Sequence, residues 1–70
     1  MPLVIAPLNQ NLRIIKVLVD QKLKKHLESL GIVVNETVNI LSKSNGSVVL
    51  VIKEGRIALD KNIATKILVA

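Results

Sequence analysis

"TVNILSKSNGSVVLVIKEGRIAL" (residues 37–59) decides the fold of this chain. Asn45-Gly46 stands between two apolar runs, and Asn-Gly in that setting is the strongest short-range hairpin signal, because a type I′ turn needs positive φ at both central residues. On the N-terminal side, Val38 and Ile40 alternate with Thr37 and Asn39, the period of a strand with one covered face. On the other side "VVLVI" (48–52) is a continuous apolar run, and Lys53-Glu54-Gly55 makes a second tight turn into "RIAL" (56–59). This stretch alone predicts three antiparallel strands in succession.

Working outward, "NLRIIKVLV" (11–19) is rich in β-branched residues and only loosely alternating, which suits a strand partly covered on both faces. Asp20 then offers a helix N-cap, and "QKLKKHLESL" (21–30) places Leu23, Leu27 and Leu30 on one stripe. Lys22, Lys24, Lys25 and Glu28 lie away from that stripe. Gly31 follows where helices commonly end in a left-handed residue, and Asn35 can adopt the same conformation in the turn before Thr37. At the far end, "DKNIA" (60–64) reads as one helical or 3₁₀ turn capped by Asp60, with Ile63 and Ala64 inward, and "TKILV" (65–69) as a last strand. The fold class predicted is mainly β: five short strands with one short helix after the first, closed into a small barrel. Closure removes the exposed edges that template aggregation.

The 70 residues make one domain (1–70), small enough that only about 60% of the unfolded chain's surface is buried. Half of the residues are hydrophobic, none is aromatic and none is cysteine, so the core is built from branched aliphatics without disulfides or thiolate metal sites. A barrel of this size has only one interior. Some of Ile15, Val17, Val49 and Val51, and likewise Leu41 and Leu68, must lie under the N-terminal arm, under the helix or on the surface. An exposed apolar patch marks a partner or a homo-oligomer contact.

The net charge of +5 raises nucleic acid as a partner. The basic residues are scattered, with only Lys24-Lys25 adjacent, and no aromatic platform exists on which bases could stack. Both features argue against it; an acidic partner or an anionic membrane leaflet fits the charge as well. "MPLVIAPL" (1–8) has no basic leading segment, is interrupted by Pro2 and Pro7, and is too short to span a bilayer. A cytoplasmic protein without a membrane span is expected.

Catalytic chemistry finds little here. His26 has no sequence-evident partner for a nucleophile–base pair and reads as a half-exposed helix residue. The five carboxylates, Asp20, Glu28, Glu36, Glu54 and Asp60, are isolated from one another. Iron(II) wants histidine and carboxylates converging with open positions, and His26 and Glu28, two apart on a helix, do not share a face. Neither a catalytic residue, a metal site nor a cofactor is expected. Gly46 and Gly55 belong to different hairpins rather than a phosphate loop, and a proline-rich ligand would need an aromatic groove.

"PL" near the start, "RI" in the first strand, "HLESLGI" at the helix exit and "GRIALDKNIATKILV" at the end together resemble the FeoA family of ferrous iron transport proteins, from Pro2 to Val69. The residues that carry the resemblance are Leu27, Leu30, Gly31 and Ile32 at the helix exit, and Ile57, Ala58, Leu59, Ala64, Ile67 and Val69 at the end. The chain departs from the family in Val34-Asn35, where Pro-Gly is usual, and in Asp60, where glycine often stands. The resemblance implies an SH3-like five-stranded barrel. It also implies an accessory protein acting on the cytosolic part of a membrane ferrous iron permease that carries a GTPase domain. The same module occurs as the C-terminal domain of longer metal-dependent repressors. The helix surface (Lys24, Lys25, His26, Glu28) and the first-strand residues Arg13 and Lys16 are the expected contact face.

Overall fold

The computed structural model describes residues 1–53 and 55–70. After a 3₁₀ turn at Leu3–Ile5, the elements run β1 (Asn11–Val17), α1 (Gln21–Ser29), β2 (Thr37–Ser44), β3 (Ser47–Ile52), β4 (Gly55–Leu59), α2 (Lys61–Thr65) and β5 (Ile67–Val69). All five strands join one antiparallel sheet in the order β4-β3-β2-β1-β5.

The Asn-Gly hairpin is present. Asn45 and Gly46 have φ of 53° and 86°, and Ser44 stands opposite Ser47 across the turn. In β2 the alternation is as expected, with Val38 and Ile40 fully buried and Thr37 exposed. The second hairpin pairs Ile52 with Gly55; Glu54 of that turn lies outside the described residues.

The helix after β1 is set by its two ends. The Asp20 carboxylate accepts the Leu23 N–H at 2.8 Å, satisfying one of the donors a helix start leaves unpaired. At the exit, Gly31 takes a φ of 95°. Its N–H donates to the Glu28 carbonyl and the Ile32 N–H to the Leu27 carbonyl, the paired bonds of a Schellman ending. That reversal corrects one expectation. Leu27 is buried and Leu23 packs on the core, but Leu30 is 37% exposed. The third apolar position is taken by Ile32 instead, because the left-handed Gly31 swings the chain back over Leu27.

The expected closure of the barrel is not completed by hydrogen bonds. Among the described residues no ladder joins β4 to β5, the two ends of the strand order. The physical reason is that the outer edge of β5 is already occupied. Met1 and Val69 exchange two backbone hydrogen bonds of 2.7 Å, and Pro2 bridges Leu68. The gap is filled by side chains: α2 packs on the 3₁₀ turn, β3 and β5, and Leu3, Ala6 and Ala64 are fully buried. The Lys43 ammonium also donates to the Ala6 carbonyl, tying the arm to β2.

Two smaller boundaries differ. Thr65 belongs to α2 rather than to the last strand, its hydroxyl bonding back to the Lys61 carbonyl at 2.7 Å. β1 stops at Val17, two residues earlier than predicted, as the chain turns toward the Asp20 cap. The ladders shift register between Ile14 and Lys16 and between Ile40 and Ser42, and such bulges bend the strands around the core. That core is wholly aliphatic, with no buried polar or charged side chain among the described residues.

Candidate interaction surface

The hydroxyl groups of the two helices serve the backbone. Ser29 donates to the His26 carbonyl at 2.6 Å, and Thr65 to Lys61 as described. The Asp60 carboxylate accepts the Ile63 N–H at 2.9 Å, so both aspartates act as caps. Among the described residues, no group of three or more histidine or carboxylate side chains converges on a point where a metal ion could sit.

The six residues expected at a contact face lie on two elements. Arg13 and Lys16 are exposed on β1; Lys25, His26 and Glu28 are exposed on α1, and Lys24 is half-buried. His26 is thus more open than the half-exposed position expected for it. Lys24 and Glu28 are one helical turn apart and share a side of α1. Glu28 also borders a groove of about 380 Å³ between the end of α1 and the β3–β4 hairpin, whose other lining includes Leu30, Ile52, Arg56 and Ile57. A second groove, of about 400 Å³, crosses the outer side of β1, β2 and β3 over Asn11, Thr37, Asn39 and Val51. There the Asn39 side chain donates to that of Asn11 at 3.3 Å. Both grooves open to solvent.

The outer face of the β1–β5 pair has its own pattern. Arg13 and Ala70 exchange two hydrogen bonds of 2.9 Å. Lys16 stands opposite Leu68, and the Leu18 N–H donates to the Lys66 carbonyl at 2.8 Å. Between them Val17 faces Ile67, which is fully buried. Opposed residues of an antiparallel pair share a face, so Lys16 and Leu68 stand together on the outside. Leu18 and Lys66, both exposed, lie just past the end of that ladder, joined by their one backbone hydrogen bond. The bulge leaves Ile15 exposed beside them. Of the apolar residues whose cover was in question, Ile15 and Val51 are exposed, while Val17, Leu41, Val49 and Leu68 are half-buried. Leu18 and Lys66 escaped the sequence reading, since nothing local to either residue announces that β1 and β5 pair.

No helix among the described residues is long and apolar enough to cross a membrane. No curated protein matches the chain. Solved structures do. An iron uptake regulatory protein (FeoA) superposes with a TM-score of 0.87 at 18% identity, over 99% of this chain and 93% of that one. A FeoA-like protein from Clostridium acetobutylicum gives 0.82 at 21% identity, over 100% and 84%. Iron(II) transport protein A from Clostridium thermocellum gives 0.88 at 27% identity, over 99% of this chain and 44% of its own length. The first two show a shared fold. The FeoA domain itself is matched over residues 1–70. The chain belongs to the FeoA family, and that membership implies a role in ferrous iron transport.

Proposed function

We propose that this chain is a non-catalytic, cytoplasmic accessory protein of bacterial ferrous iron uptake, acting by binding the cytosolic part of a membrane iron permease that carries a GTPase domain. The observation that carries the reading is the FeoA domain spanning residues 1–70. The exposed side chains of α1 and β1 supply a contact surface consistent with it. In this reading the ion is the permease's cargo, and this chain acts through Arg13, Lys16, Lys24, Lys25, His26 and Glu28. The cations steer association with an acidic surface and set its register.

An amide NMR titration with the GTPase domain of the same organism's iron permease, with and without a GTP analogue, tests the proposal. Shifts confined to α1 and β1 are the expected result. A spectrum unperturbed at high concentration of that domain overturns it as the direct partner. The Lys24→Glu/Lys25→Glu variant is expected to bind more weakly and with less dependence on salt; unchanged affinity would remove those two residues from the contact.

A further inference from the structure

We propose that the outer face of the β1–β5 pair is a docking surface for an anionic phospholipid bilayer. Lys16 and Leu68 are paired on this face, and Leu18 and Lys66, joined by one backbone hydrogen bond, stand at the end of the same ladder. Ile15, 40% exposed, and Leu18, 49% exposed, project beside the two cations. No aspartate or glutamate belongs to these rows, and the whole chain carries a net charge of +5. The face therefore complements a surface that is uniformly negative and has an apolar layer just beneath.

The alternation favours a bilayer as the occupant of this face, and Lys16, also named in the permease contact, is shared by the two surfaces. Protein interfaces gather apolar area into one desolvated centre, enrich aromatic residues and arginine, and deplete lysine. Here the aliphatics are interleaved with lysines, and the chain has no aromatic residue at all. At a headgroup layer that arrangement is favourable. Short aliphatics dip toward the acyl boundary, while lysine stems lie along apolar surface and their ammonium groups meet phosphate. A nucleic-acid duplex would use the same cations but leave Ile15, Leu18 and Leu68 in water.

Each basic side chain at an anionic leaflet adds about fivefold to partitioning. Two lysines and a few aliphatics therefore give weak, reversible, salt-sensitive docking. The inference goes beyond the permease reading and does not rest on it, because its test uses only the chain and lipid.

The test is co-sedimentation with vesicles of phosphatidylcholine alone and of equal parts phosphatidylcholine and phosphatidylglycerol. The chain is expected to pellet with the anionic vesicles only, and less as salt is raised. Lys16→Glu/Lys66→Glu should lower partitioning by more than about tenfold, and Ile15→Ser/Leu18→Ser should lower it with the charge unchanged. Lys53→Glu/Arg56→Glu, with the same change in net charge on another surface, should bind better than the Lys16→Glu/Lys66→Glu variant. Circular dichroism confirms that each variant is folded. Absence of pelleting, equal pelleting with neutral vesicles, or equal loss in the two charge-reversed variants overturns the proposal. So does retention by duplex DNA under conditions where the anionic vesicles retain nothing, which would reassign the face to nucleic acid.

Discussion

The Lys61 side chain lies across Gly46: a Cβ placed on Gly46 would stand 2.6 Å from the Lys61 Cγ and 2.8 Å from its Cδ. The first residue of α2 thus seals the tip of the β2–β3 hairpin, two elements whose contact no local pattern announces. Gly46 is constrained twice, by its φ of 86° and by this approach.

Gly46→Ala is expected to destabilise the protein by about 1–2 kcal/mol from the left-handed backbone alone, with the displaced Lys61 stem adding to that. In a Lys61→Ala background the same substitution should cost less. Urea unfolding of the double-mutant cycle separates the two contributions. Equal costs in both backgrounds would show that the flexible lysine moves aside without penalty.

Leu27 and Leu30 lie three apart in one apparent stripe, but only Leu27 is buried. Leu27→Ala should cost about 2–5 kcal/mol, a large share of the stability of a domain this small. Leu30→Ala should stay within about 0.5 kcal/mol. Chemical denaturation midpoints check the contrast, and similar losses at both positions would contradict the Schellman exit.

Asp20 and Asp60 each accept one backbone N–H at a helix start. Alanine at either position should cost about 0.5–2 kcal/mol, and asparagine, an equally good cap, should restore most of it. Thermal unfolding of the four variants is the measurement. An asparagine no better than alanine would mean that the caps act through charge rather than through the hydrogen bond.

Leu3 is fully buried beside the strands although it sits in the N-terminal arm. Leu3→Ala should destabilise by about 2–5 kcal/mol. It should also speed hydrogen exchange at the Val69 amide, which donates to the Met1 carbonyl. Unchanged protection at Val69 would mean that the arm stays on β5 without its core anchor.

The expected contact residues could be named because each is charged or polar and stands on a predictable outer surface: His26 and Glu28 on opposite flanks of α1 to either side of Leu27, Arg13 and Lys16 on β1. What could not be read was their neighbourhood. Lys16 meets Leu68, and Leu18 bonds to the Lys66 carbonyl, only because β1 and β5 pair. Charge and exposure are properties of single residues, whereas a surface is a property of which residues stand side by side.

The sequence by itself determined the local elements of this protein. Asn45-Gly46 dictated a turn with two positive φ angles, Asp20 and Asp60 opened helices, Gly31 ended one, and the alternation of Val38 and Ile40 chose the inner face of β2. These are short-range effects, complete within one turn or one strand. The tertiary structure alone decided how the sheet ends. β5 is only three residues long, and its free edge takes Met1 and Pro2 instead of β4, so the expected barrel is sealed by Leu3, Ala6 and Ala64 rather than by a last ladder. That choice depends on competition between chain segments far apart in sequence, which is resolved only when all of them are packed around the same core.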